Sequence, residues 1–193
     1  MSHLSHREYF QRYKLNVEQY GEILVAQAFQ GKKMGDAQPG YDILVDKAQV
    51  IKILQRAGTD KKRVKSFFEI PTKNVRVEVK SKLSTMKSGK ATAVQCRDTK
   101  FDGARGKEGM THLAIVIVHP GSLTEDEGSA REGEVDRAWL LTRRVAKSLR
   151  TKGKSRYIPL RKVEEPTTEK IDIKKLLTSA AKSMILPKKR ARG

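Results

Sequence analysis

The chain has 193 residues, a net charge of +19 from 41 Lys and Arg against 22 Asp and Glu, and a hydrophobic fraction of only 37%. That length allows one sizeable core with appendages, and that charge attracts polyanions, nucleic acid first among them. Cys96 is the only cysteine, which excludes an internal disulfide and a multi-cysteine zinc site, and the four histidines show no metal-ligand spacing.

The first element in chain order is a helix over Asn16 to Phe29, "NVEQYGEILVAQAF". Its apolar stripe of Val17, Tyr20, Leu24 and Ala28 is widened by Ile23, Val25, Ala26 and Phe29, the pattern of a mostly buried helix. Gly21 costs such a helix about 1 kcal/mol relative to alanine, which implies a close-packing reason for it. Glu22 leads into the apolar run, so its carboxylate either sits at the edge of the core, has a partner there, or is solvated. After a turn-rich connector, Tyr41 to Asp46 reads as a strand with Ile43 and Val45 on one side and Asp42, Leu44 and Asp46 on the other. An amphipathic helix over Ala48 to Arg56 and the basic run "DKKRVK" follow, in a segment too long for a hairpin loop and read as an insertion over about 47–71.

Next comes "VRVEVKS", in which Val75, Val77 and Val79 alternate with Arg76, Glu78 and Lys80. A strand here has one apolar and one charged face. "ATAVQC" reads as a further strand. "HLAIVIVH", His112 to His119, is an unbroken apolar strand suited to the middle of a covered sheet. An acidic, glycine-containing loop precedes "VDRAWLLT", a strand or a helix start. Arg143 to Lys162 carries many Arg and Lys and no acidic residue. A helix over Ile171 to Leu186 and a basic tail close the chain. The fold class expected is α/β, a central mixed β-sheet flanked by helices. No apolar run is long enough for a membrane span and "MSHLSHREYF" lacks a signal-peptide core, so the expectation is a cytoplasmic protein associated with nucleic acid and not with membrane.

Chemistry enters where these elements converge. If the two strands pair, Asp42 comes within side-chain reach of Glu78 and Lys80, since cross-strand neighbours lie about 5 Å apart. Carboxylates around one point with an ammonium beside them suit Mg²⁺, which takes one or two carboxylates, keeps several waters and accepts phosphate oxygens. Lys80 could orient or help deprotonate a water and offset charge at a phosphate, and the Val79 carbonyl could be a further ligand. Arg76, on the same face, is either a phosphate contact or part of an ordinary wet face.

"GE" on a helix, then "GYDILV", then "VEVK" and another strand resemble the PD-(D/E)xK nuclease superfamily over about Asn16 to Cys96. The resemblance implies a restriction endonuclease-like core over 1–165, with residues 166–193 as a C-terminal helix and basic tail. It implies Asp42 and Glu78 as metal ligands, Lys80 as the catalytic lysine, Glu22 as the helical glutamate that binds metal directly or through water, and Gln95 as a polar residue assisting the site. Asp46 is the alternative metal ligand if the insertion is misread. The activity implied is a Mg²⁺-dependent endodeoxyribonuclease acting on duplex DNA, restriction-like or homing-like, with Mn²⁺ able to substitute and no small-molecule cofactor. A structure-selective nuclease such as a junction resolvase or repair enzyme, or a non-catalytic DNA-binding protein on the same fold, are the alternatives. Phosphate contacts are expected from Arg143, Arg144, Lys147, Arg150, Lys152, Lys154 and Arg156, with Lys61 to Lys65 and the tail from Lys188 to Arg192 adding to them. One small site cutting both strands implies a homodimer.

Overall fold

A computed structural model describes residues 17–35, 40–84, 93–103, 108–119, 133–151, 156–166 and 169–183. The wide apolar stripe near the N-terminus forms helix α1 (Val17–Phe29), with Tyr20, Leu24, Val25, Ala28 and Phe29 all buried. Two short strands follow, β1 (Lys32–Lys33) and β2 (Ile43–Asp46). The insertion holds two helices rather than the one expected. They are α2 (Lys47–Arg56), capped by Asp46, and α3 (Lys61–Phe67), capped by Asp60, whose carboxylate accepts the Arg63 amide hydrogen. Such caps satisfy backbone donors that the first turn leaves open.

The alternating valines form β3 (Asn74–Leu83). Strand β4 (Ala93–Gln95) and the short helix α4 (Asp98–Asp102) lie in the crossover to β5 (His112–Val118), every residue of which is buried. "VDRAWLLT" resolves as strand β6 (Val135–Thr142), followed by α5 (Arg143–Leu149), β7 (Tyr157–Pro159) and α6 (Leu160–Glu164). The helix expected from Ile171 begins later. Residues Lys170–Asp172 are strand β8, and the helix, α7, runs Lys174–Lys182. The β-branched Ile171 pairs with Leu140 of β6, and Asp172 accepts the Lys174 amide hydrogen at the start of the helix. The end of the expected helix and the basic tail lie outside the described residues.

The central sheet has the order β1-β2-β3-β5-β6-β8. It is mixed: β3 and β5 are parallel and every other neighbouring pair is antiparallel. The strand after the motif, β4, does not join it and pairs antiparallel with β7 in a separate ribbon. Both faces are covered, which is why "HLAIVIV" lacks alternation. Ala114, Val116 and Val118 enter one core with α1, α2, α3 and α7, while Leu113, Ile115 and Ile117 enter a second with Phe101, Met110, α5 and α6. No helix among the described residues is long and apolar enough to cross a membrane.

Gly21 has the close-packing role its cost implied. A Cβ there would lie 1.7 Å from Ser81 Oγ and 2.8 Å from Ser81 Cβ, so only glycine lets α1 lie this close to β3. The insertion is fastened through His112, a fully buried side chain at the start of β5. Its ring lies against Phe67 and Phe68, centroids 5.2 and 4.7 Å away. Its Nε2 is 3.3 Å from the Phe67 carbonyl oxygen and its Nδ1 3.0 Å from Thr111 Oγ1. Burial pushes this imidazole down to about 4, only partly opposed by the Phe67 carbonyl.

Candidate active site

Val75, Val77 and Val79 of β3 enter the first core, so the pleat turns Glu78 to the opposite face, beside Leu113 in the parallel register with β5. Glu78 is 0% exposed. An unpaired carboxylate in such a place would neutralise or destabilise the fold. Two ammonium groups meet it: Lys80 Nζ lies 2.7 Å from Oε1 and Lys100 Nζ 2.8 Å from Oε2. These are ion pairs, and among the described residues neither oxygen has a hydrogen-bond partner with good geometry.

Asp42 immediately precedes β2. With Ile43 paired to Val77, the antiparallel register puts Asp42 opposite Glu78, as strand pairing requires of the sequence reading. Asp42 Oδ2 accepts the Val79 amide hydrogen at 2.7 Å, which fixes the carboxylate at the strand edge. Its Oδ1 lies 3.7 Å from Lys100 Nζ, so one ammonium is shared between the two acids. Burial raises the Glu78 carboxyl above its usual range; Lys80 opposes that and the neighbouring Asp42 adds to it. For Lys80, burial acts to lower the ammonium but the Glu78 carboxylate more than offsets this, and the net shift is upward. Cys96, buried just after β4, has its thiol pushed up to about 11 by burial and by Glu78, which keeps it protonated and unreactive at neutral pH.

Lys100 is the residue that sequence reasoning missed. It belongs to α4, a five-residue helix in a segment rich in Lys, Arg and Gly, and nothing periodic marks it. The helix is held by Phe101, which is fully buried, and by the Met110 amide donating to the Lys100 carbonyl at 2.9 Å. Asp98 and Asp102 add ion pairs to Arg150, Arg156, Arg143 and Lys147.

The other expected site residues are disposed differently. The Glu22 carboxylate pairs with Lys33 of β1 at 2.7 Å, which answers where its partner lies. Gln95 is exposed on β4, across from Tyr157. Val79 contributes its amide to Asp42 and its side chain to the first core. Asp46 caps α2, its Oδ1 accepting the Gln49 amide hydrogen at 3.1 Å. Arg76 takes a role not foreseen: its Nε donates to the Gly109 carbonyl at 2.7 Å and its Nη1 pairs with Glu108 at 2.5 Å, clamping the segment that leads into β5. Among the described residues no three His, Cys, Asp or Glu side chains gather to hold a metal ion. Asp42 and Glu78 are two oxygen donors of the kind Mg²⁺ takes, and both lie within ion-pair distance of the Lys100 ammonium.

A cleft of about 1480 Å³ runs between α3 and α5, and Asp42, Glu78, Lys80 and Lys100 are not in its lining. Lys62, Arg63, Arg143, Arg144, Lys147 and Lys170 line it against only Glu69 and Glu169 among acidic residues. Arg63 also donates to the Lys170 carbonyl at 2.6 Å, tying the insertion to β8. Of the seven basic residues singled out in sequence, Lys152 and Lys154 lie outside the described residues. Each of the other five has an acidic partner from another segment: Arg143 and Lys147 share Asp102, Arg150 and Arg156 share Asp98, and Arg144 meets Glu169. Arg144 nevertheless stays 82% exposed and Lys147 53%, so both remain open to a ligand. Neither a protein-family model nor a curated protein matches this chain.

Proposed function

We propose that this chain is a Mg²⁺-dependent endodeoxyribonuclease with a restriction endonuclease-like core, acting at specific sites in duplex DNA. The observation that carries the reading is the convergence of Asp42, Glu78 and Lys80 on one sheet face, with both carboxylates sharing a cation. Asp42 and Glu78 are the residues that would hold the metal, with the Val79 carbonyl a candidate beside them. Bound there, Mg²⁺ supplies charge to offset the phosphorane-like transition state and a more acidic water.

The chain's own groups define the rest. The Val79 amide fixes Asp42 in orientation, and the core valines anchor the strand that carries Glu78. Lys80, whose ammonium lies 2.7 Å from Glu78 Oε1, is placed to orient a water and to offset charge at the scissile phosphate. The basic cleft between α3 and α5 is the natural track for a phosphate backbone. The superfamily resemblance and the need to cut two strands support a homodimer.

Cleavage of linear duplex and of a four-way junction with Mg²⁺ tests the activity. Discrete duplex fragments support the reading, and cutting confined to the junction replaces it with a structure-selective nuclease. Asp42→Ala and Lys80→Ala are each expected to reduce cleavage by at least about 10²-fold while DNA binding persists. Wild-type rates in either variant would refute the site, and DNA binding with no cleavage of either substrate would leave a non-catalytic DNA-binding protein.

A further inference from the structure

We propose that Lys100 is a built-in counter-cation that occupies the point between Asp42 and Glu78 and must be displaced for a divalent ion to load; this rests on the metal reading above. The ammonium lies 2.8 Å from Glu78 Oε2 and 3.7 Å from Asp42 Oδ1, and among the described residues it is the one cation that pairs with both acids. Two carboxylates brought together in a site where one is fully buried repel each other, and a cation between them offsets that repulsion.

Lys80 cannot fill that role. Among the described residues it pairs with Glu78 Oε1 and with neither oxygen of Asp42. Lys100 comes from a separate element whose backbone is pinned by Met110 and whose Phe101 is locked in the core, while its own side chain is 24% exposed. The ammonium can therefore swing to solvent without moving α4. A tethered cation acts at high effective concentration, so it competes with dissolved metal far more strongly than free salt does. Lys100 thus sets the metal concentration at which the site fills. A substrate phosphate arriving nearby would draw the released ammonium to itself, which couples loading to DNA.

The test is Mn²⁺ binding by the full chain in Mg²⁺-free buffer, measured by calorimetry and by the shift in melting temperature that Mn²⁺ produces. Lys100→Gln removes the charge, and it should bind Mn²⁺ at least about tenfold more tightly than wild type, equivalent to about 1.4 kcal/mol. Its melting temperature should rise more on adding Mn²⁺. Lys100→Arg keeps the charge and should load no more readily than wild type. Equal Mn²⁺ affinity in wild type and K100Q overturns this inference while leaving the metal reading intact. A gain in K100R as large as in K100Q overturns it too, since charge would not be the cause. Absence of Mn²⁺ binding in both wild type and K100Q overturns the inference and the metal reading together. If K100Q is unfolded without metal, recovery of native structure on adding Mn²⁺ supports the inference, and failure to recover refutes it.

Discussion

Lowering the pH from 7.5 to 4.5 should cost this protein stability through one side chain, His112. Its ring is fully buried between Phe67, Phe68 and Thr111, and burial holds it neutral down to about pH 4, against 6.5 when exposed. The unfolded chain therefore binds a proton that the folded chain refuses between those two values. Stability from this group is complete above about pH 6.5, falls as the pH drops below it, and levels off below about pH 4. Linkage over a gap of that size gives a loss of about 2.5 kcal/mol by pH 4.5, with a slope approaching 1.4 kcal/mol per pH unit. Carboxylates titrate in part of the same range, so the assay is a comparison. Urea unfolding at a series of pH values for wild type and for His112→Gln, each referred to its own stability at pH 7.5, isolates the histidine term. The variant should lose about 2.5 kcal/mol less than wild type at pH 4.5. Parallel curves for the two proteins would mean that the insertion is not seated on a neutral imidazole.

Gly21→Ala should destabilise by about 1–3 kcal/mol in urea unfolding, because its methyl would overlap Ser81 Oγ and crowd Ser81 Cβ. Ser81→Ala alone should be close to neutral, since among the described residues the buried Ser81 hydroxyl has no hydrogen-bond partner, and Ser81→Gly should recover part of the Gly21→Ala loss. Lys62→Ala with Arg144→Ala, one from each wall of the cleft, should lower the slope of log binding constant against log salt on duplex DNA by up to about 0.9 per phosphate contact removed. An unchanged slope would move the DNA track elsewhere.

How much of this was legible in the sequence depended on whether the signal was periodic. The alternation in "VRVEVKS" gave β3 and both its faces, and the register that puts Asp42 opposite Glu78 followed once β2 paired with it. The unbroken run at His112 gave the central strand, because a sheet covered on both faces leaves no polar positions. What failed to show was non-local. Lys100 reaches the site through tertiary packing of a five-residue helix, and a lysine in a lysine-rich chain carries no mark of such a contact. The segment from Arg143 to Lys162 has no acid within it, yet its arginines find Asp98, Asp102 and Glu169 from elsewhere in the chain. Arg76 could not be assigned because its partners, Glu108 and Gly109, lie across the crossover. The helix α3 went unread in "DKKRVK" because basic charge masked its one-turn apolar pair, Val64 and Phe67. "KIDI" carried helical spacing into a strand because Ile171 found Leu140 to pair with.

The sheet's two margins constrain how copies of this chain can meet. One margin is β1, two exposed lysines; the other is β8, three residues that include Lys170 and Asp172. Strands this short offer few open hydrogen-bonding groups, and β1 also repels a like neighbour through its lysines, so a second copy gains little by extending the sheet. If the proposed nuclease acts as a pair on one duplex, its two copies are expected to meet through helices or loops. The spacing between their two cuts would then be set by those surfaces and not by the regular step from one strand to the next.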